Sequence, residues 1–449
     1  MSEDLAALWP LDRDVVFLNH GSFGACPAEV LRHQAALRDE MEAEPVRFLS
    51  RQIDDRLAAA RVALGAFVGA DPDDLAFVVN ATSGVNAVLR SRAFAAGDEL
   101  LVTDHAYNAC RNALSFAAER AGARVVVVTV PFPVGSPDEI VDAVLRSRLF
   151  AAGDELLTTD HAYGACRNTL DFVAERTGAR VVIVTVPFPV ASPDEVVAAV
   201  LAKVTTRTRL ALLDHITSPT ALILPIERLI AELGARGVEV LVDGAHAPGM
   251  VPLNLATLGA TYYSGNCHKW LCAPKGSAFL WTRRDRQPEV RPLTISHGAT
   301  AVRPGRSRFR LEFDWTGTSD PTAWLAVPKA IEYVGGLVDG GWPALMARNH
   351  ALAVDARRLL CTAAGTAPPC PDEMVGSLAA VRLPDGTAEV GWRRPDPLQP
   401  RLFDDWRIEV PVISWPAAPR RLVRISAQLY NRREQYERLA EALRKELAR

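Results

Sequence analysis

A lysine that follows a strand in apolar, aromatic surroundings is equipped to react with a carbonyl group, and this chain offers one in that setting. It has five lysines, Lys203, Lys269, Lys275, Lys329 and Lys445, and only Lys269 stands in such a run, Tyr262-Tyr-Ser-Gly-Asn-Cys-His-Lys-Trp270. Desolvation there disfavours the ammonium ion and leaves the free amine that condenses with an aldehyde. A surface lysine after a strand is the plain alternative for this motif taken alone. Upstream, Val240-Leu-Val-Asp-Gly-Ala-His246 is an apolar run ending in an acid. Open α/β sheets bind ligands at the carboxyl ends of their strands, and a carboxylate there can hold a pyridinium nitrogen protonated so that the ring takes up electrons. Asp243 suits that task, and it equally suits the cap of a following helix. Further upstream, Val78-Val-Asn-Ala-Thr-Ser-Gly-Val-Asn86 reads as strand, polar turn and helix start. Free amides at that start, with the hydroxyls of Thr82 and Ser83, form a phosphate cradle, although Thr and Ser are also ordinary N-caps. Phosphate cup, ring acid and reactive lysine in that order point to pyridoxal 5′-phosphate (PLP) as cofactor.

Those three groups need a scaffold, and apolar β-branched runs supply it at Leu75–Asn80, Glu99–Thr103, Arg124–Val130, Arg209–Asp214, Val238–Asp243, Ala260–Ser264 and Ser277–Trp281. Runs of this kind, alternating with amphipathic stretches, predict strands buried on both faces. The fold class is therefore α/β, a mainly parallel sheet flanked by helices. Beyond Trp281 an Arg- and Pro-rich stretch and a helix near Ala323–Val334 lead into a smaller mixed unit. The expected division is an N-terminal arm over 1–30, a large domain over 31–325 and a small C-terminal domain over 326–449. Val16–Gly24 reads as a loop crossing towards the active site.

Within the large domain, Val88–Ala143 recurs as Val144–Ala199: "FAAGDELLVTDHAYNACRNALSFAAERAGARVVVVTVPFPVGSPDE" is answered by "FAAGDELLTTDHAYGACRNTLDFVAERTGARVVIVTVPFPVASPDE". Each copy reads as strand, helix, strand and the start of a helix. A parallel sheet with right-handed crossovers has room for one such unit, so one copy is surplus. Its apolar strands, Arg180–Val186 among them, need burial, against a second subunit or by domain swapping.

The net charge of −3 supplies no basic field for nucleic acid, which leaves a small molecule as the expected partner. The start lacks the pattern of a signal peptide and no later stretch is long and apolar enough to span a bilayer, so a cytoplasmic location is expected. Seven cysteines without a Cys-x-x-Cys pair suggest reduced structural thiols, and no metal site is expected.

Taken in order, "FLNHGSFGACP", "NATSGVNAV", "TDHAYGACRNTL", "LLDHITSPT", "VDGAHAPG", "YYSGNCHKWLCAPKG", "WTGTSDPTAWLA" and "RISAQLYN" resemble the class V aminotransferase family of PLP enzymes, most of all its isopenicillin N epimerase-like branch. The resemblance spans nearly the whole chain and implies the fold type I architecture of PLP-dependent aminotransferases and a homodimer with shared active sites. It implies that Lys269 carries the cofactor, that Asp243 faces the pyridine nitrogen and that His246 and Ser218 approach the ring hydroxyl. Thr82, Ser83, Asn266 and His268 would surround the phosphate, with Thr318 reaching it from the neighbouring subunit. Arg424 would clamp the substrate carboxylate, with Asn19 and His20 as further substrate contacts. The ring-stacking histidine of "DHAY" occurs twice, as His105 and His161. Gly164 and Thr158 bring copy two nearer to the family wording, which points to His161. His20 and His215 are equally suited to satisfying turn or core hydrogen bonds. Epimerisation, transamination and β-elimination all follow from removal of an α-proton, so the expected activity is epimerase or aminotransferase, with a C–S lyase as the alternative. A persulfide-forming desulfurase is disfavoured because no cysteine lies between Asp404 and Arg424. A further alternative is a PLP-binding protein whose catalysis the surplus unit has impaired.

Overall fold

The computed structural model describes residues 5–91, 98–103, 106, 110, 113–115, 117–118, 122–128, 155–159, 180–184, 192–194, 197, 201, 208–386 and 395–448. Its strands are β1 (Val16–Phe17), β2 (Leu75–Val78), β3 (Glu99–Thr103), β4 (Arg124–Val128), β5 (Glu155–Thr159), β6 (Arg180–Val184), β7 (Thr208–Asp214), β8 (Glu239–Asp243), β9 (Tyr262–Asn266), β10 (Ala278–Thr282), β11 (Leu378–Leu383), β12 (Ile408–Glu409), β13 (Val412–Ser414) and β14 (Arg421–Ser426). The chain forms two compact units, one of residues 1–10, 22–93 and 240–345, the other of 11–21, 94–239 and 346–449.

In the first unit the strands run in the order β2-β10-β9-β8. β8 and β9 are parallel, as the apolar runs predict, but β10 is antiparallel to both of its neighbours. The helix Ala81–Ser91 packs on β9 and β10. Its approach depends on Gly84, where a Cβ would lie 2.2 Å from Ser264 Oγ. That serine is buried on β9 and donates to Ala81 O at 3.0 Å and Phe279 O at 3.1 Å, which ties the helix start to the sheet. Behind this layer, Arg61 of the helix Ile53–Val68 grips Asp314 at 2.6 and 2.9 Å through two parallel hydrogen bonds. Both side chains are buried.

In the second unit β7, β3 and β4 lie side by side and parallel. β11, β14 and β13 form an antiparallel sheet, and β1 pairs with β12. The Val16–Gly24 segment, expected as a loop, thus begins as a strand. Copy one of the repeated sequence supplies β3 and β4; copy two supplies β5 and β6, which pair with each other in the corresponding register, Glu155 opposite Arg180 as Glu99 is opposite Arg124. Copy one therefore stands beside β7, whereas the wording of the sequence favours copy two. Two buried strand positions agree with this. Val102, fully buried and opposite Leu212, is Thr158 in copy two, and a hydroxyl buried there without a partner costs about 1–3 kcal/mol. Val127, also buried, is Ile183 in copy two, an extra methylene in a packed layer.

The Arg61–Asp314 pair makes a stability prediction. Asp314→Ala leaves a buried guanidinium without its partner and is expected to destabilise by about 3–5 kcal/mol, while the Arg61→Met/Asp314→Leu double variant loses far less. Urea denaturation of the three proteins checks the ranking.

Candidate active site

The reactive lysine is positioned by a turn that the end of β9 feeds directly. Lys269 is buried at 8% exposure, and its Nζ lies 3.1 Å from His246 Nε2. On the other side of the same imidazole, Trp270 Nε1 donates to His246 Nδ1 at 3.3 Å. An indole nitrogen is only a donor, so Nδ1 must be the acceptor and the neutral ring carries its proton on Nε2. That proton points at Nζ, and the contact is satisfied when the lysine accepts it as a free amine. A lysine that accepts this proton does so in the free-amine form that condenses with an aldehyde.

Glycines hold this turn in place. Gly24, at φ +71°, lets the N-terminal segment press on the lysine turn so closely that a Cβ would fall 2.0 Å from His268 O and 2.9 Å from Lys269 Cα. Lys275 Nζ donates to Gly24 O at 2.8 Å and secures the same segment. At Gly249, φ +86°, a Cβ would strike the Trp270 carbonyl at 2.6 Å. Sequence reading did not assign Gly24, Trp270, Gly249 or Lys275. The quoted motifs contain all four, but only the close approach shows their use.

Asp243 ends β8, is 2% exposed and accepts from Ala245 N at 3.1 Å. Its charge and burial push the Tyr263 hydroxyl well above its ordinary range, burial being the larger cause. Tyr262 and Tyr263 are both fully buried, and the Tyr263 ring stacks on Phe279 at 6.2 Å.

The helix start at Ala81 is partly spent. Ala81 N donates to Asn266 Oδ1 at 2.8 Å, and Asn80 Oδ1 takes Ser83 N at 2.8 Å and Ser83 Oγ at 3.1 Å. Among the described residues the Thr82 amide and hydroxyl have no hydrogen-bond partner. Thr82 thus keeps two donors at a helix N-terminus, which fits a phosphate group, while Ser83 and Asn266 shape the turn. His268 Nδ1 lies 2.9 Å from Ser277 O and therefore carries a proton. Burial first, and Lys269 and Lys275 after it, lower its pKa to about 4 against the opposing Ser277 contact.

In the second unit Arg424 is 4% exposed, its pKa lowered to about 10 by burial. It donates through Nη1 to Ser218 O and, at 3.2 Å, to Ser218 Oγ, which brings together two of the expected site residues. Asn19 Nδ2 donates to Glu409 at 3.2 Å, and His20 Nδ1 lies 2.8 Å from the Tyr430 hydroxyl. His215 is buried, which lowers its pKa to about 4. Thr318 is exposed on the loop that follows Asp314. His105 and His161 lie outside the described residues. Among the described residues no cluster of His, Cys, Asp or Glu could hold a metal, and no helix is long and apolar enough to cross a membrane.

Two measurements test this geometry. Gly24→Ala must distort the lysine turn, and is expected to lower the melting temperature and weaken cofactor binding, read by calorimetry and by absorbance titration with PLP. The two histidines make the apoprotein acid-sensitive. Above about pH 6.5 both are neutral whether folded or not, and stability is full. As pH falls from 6.5 towards 4 the unfolded chain binds protons that the folded chain refuses, and stability is lost, by at most about 3 kcal/mol for His215. Urea midpoints at pH 7 and 4.5 should differ less in His215→Leu than in the parent.

Residues 19–133 and 135–369 match the aminotransferase class-V family. The isopenicillin N epimerase of Amycolatopsis lactamdurans is 36% identical over 98% of this chain and 96% of its own, and that of Streptomyces clavuligerus 33% identical over 96% and 95%. An L-cysteine desulfhydrase of Arabidopsis thaliana is 28% identical over 96% and 87%. Among solved structures, a mutant of C-DES with glycine covalently linked to its PLP cofactor matches with a TM-score of 0.71 at 20% identity, covering 98% of each chain. An apo cysteine desulfurase from Thermococcus onnurineus NA1 matches with a TM-score of 0.72 at 16% identity over 100% of this chain and 98% of its own, a likeness of fold. The chain belongs to the class V aminotransferases and is a PLP-dependent enzyme of that family.

Proposed function

We propose that this enzyme acts at the α-carbon of an amino acid, removing the α-proton with Lys269, and that its reaction is epimerisation or transamination of the isopenicillin N epimerase type. The Trp270–His246–Lys269 chain carries the reading, because it sets the buried amine of Lys269 3.1 Å from an imidazole nitrogen where a base is required. PLP, when bound, supplies the electron sink that makes an α-proton removable.

The residues divide the remaining work. Thr82 and the helix start hold the phosphate, Asp243 holds a proton at the pyridine nitrogen, and His246 faces the ring hydroxyl. Arg424 binds the substrate carboxylate through its guanidinium, with Ser218 fixing its orientation. Lys269 takes the α-proton at Nζ and hands it on. Asn19 and His20 complete the substrate contacts, His105 or His161 stacks on the ring, and Thr318 serves the neighbouring subunit of a homodimer.

A second reading has support of its own. The L-cysteine desulfhydrase relatives align along nearly the whole chain, so β-elimination across a C–S bond uses the same base with a different leaving group. A PLP-binding protein impaired by the surplus repeat is the third reading. Incubation with amino acids in D2O separates them: deuterium at the α-carbon with inverted chirality reports epimerisation, a keto acid without sulfide reports transamination, and sulfide from cysteine reports elimination. Lys269→Ala is expected to lower the observed reaction by about 10²–10⁴-fold beyond its effect on cofactor attachment. Cofactor binding with no turnover of any amino acid would favour the impaired protein, and undiminished turnover in Lys269→Ala would refute the assignment of the base.

A further inference from the structure

We propose that the position beside β7 is a slot that either repeat copy of the same chain can fill, with copy two an intact second insert for it. The strands carry the argument. β3 meets β7 through Leu100 opposite Leu210, Leu101 opposite Ala211 and Val102 opposite Leu212. In copy two the corresponding residues are Leu156, Leu157 and Thr158. With Glu99 opposite Thr208, which is Glu155 in copy two, three of the four residues that pair with β7 are unchanged.

The pairing inside each copy is conserved as well. β3 with β4 and β5 with β6 are parallel, and each β5–β6 partner is the counterpart of a β3–β4 partner. Copy one buries an ion pair between Glu99 and Arg124 at the first rung of that register. A buried carboxylate needs its cation, and copy two retains both, as Glu155 opposite Arg180. Copy two has thus kept the charge pair, the apolar rungs and the register that the slot requires. Among the described residues β5 and β6 form a two-stranded sheet of their own.

The copies differ within the strands and between them, where the buried Ala113, Ser115 and Ala117 are Thr169, Asp171 and Val173 in copy two. Within the strands, Thr158 in place of Val102 favours copy one by about tenfold or more, and Ile183 in place of Val127 adds to it. Both copies begin Val-Leu-Arg-Ser-Arg, preceded by an alanine at Ala87 and Ala143, so the chain enters either through the same residues. The exchange decides whether His105 or His161 follows the strand beside β7 in sequence.

Hydrogen–deuterium exchange on the full-length protein tests the proposal, since peptides covering 99–103 and 155–159 differ in mass by the Val/Thr replacement. In the parent the 99–103 amides should be the better protected by about tenfold or more. In a variant that trades every differing residue of 99–128 with its counterpart in 155–184, the protection should move to 155–159. Protection that stays on 99–103 shows that chain position and not strand sequence fills the slot, and overturns the proposal. Inversion that appears only as concentration rises, with a doubled mass, assigns the slot to a second chain's copy and also overturns same-chain exchange. Deleting 88–143 or deleting 144–199 gives an independent check: both chains should unfold cooperatively and bind PLP. Failure of the chain lacking 88–143, alone or together with the other, counts against the slot being shared.

Discussion

The single donor hydrogen of the Trp270 indole is the constraint on which the active-site chemistry rests. Because that nitrogen cannot accept, it fixes which side of a neutral His246 holds a proton, and Lys269 faces that side. A lysine beside an imidazole is otherwise ambiguous, since either could donate. The arrangement is rigid because Trp270 is fully buried and its backbone is closed in by Gly249, while His268 and Lys269 are closed in by Gly24. A methyl group at either glycine would occupy space that the turn already fills, so the protonation pattern is held by packing as much as by hydrogen bonds.

The same economy of donors shapes the phosphate end. A helix start has several unsatisfied amides, and here Asn266 and Asn80 consume those of Ala81 and Ser83. What remains at Thr82 is a narrow pair of donors and not a broad cup. Asn266 ends β9 and His268 follows it within the lysine turn, so the strand that leads to Lys269 also anchors the helix start at Ala81. His268, held neutral by burial, offers a lone pair at Nε2, and only a bound anion would favour its protonated, donating form.

The strands of the main sheet were legible because buried parallel strands are written as continuous apolar runs, and all seven are present within a residue or two of the expected bounds. The direction of β10 was not legible, because an apolar run has no polarity. Asp243 and Lys269 could be found from residue type alone. The role of Trp270 could not, since an aromatic residue after a lysine reads as packing until its indole is seen against an imidazole. Ser218 was expected near the cofactor ring, and its contact with Arg424 depends on a pairing between residues two hundred positions apart in sequence. The choice between repeat copies was hidden for a different reason: two sequences that differ at one position per strand have almost the same propensity, and what separates them is which side chains are buried.

The cysteines bear on where sulfur chemistry could end if the substrate is a thiol amino acid. Cys361 and Cys370 are buried, and burial raises both thiols, that of Cys370 to about 12 despite the Arg357 guanidinium 3.2 Å from its sulfur. Cys26, Cys267 and Cys272 are buried and raised likewise. A thiol held protonated is a poor nucleophile, so none of these five is suited to receive a sulfur atom as a persulfide. Any C–S cleavage at these residues' expense is therefore disfavoured, and a sulfur leaving group would depart to solvent, as in a desulfhydrase. Under the proposed roles of Lys269 and Asp243, epimerisation and elimination would share one base and one ring acid, and the branch would be decided by whether the substrate's β-substituent can leave.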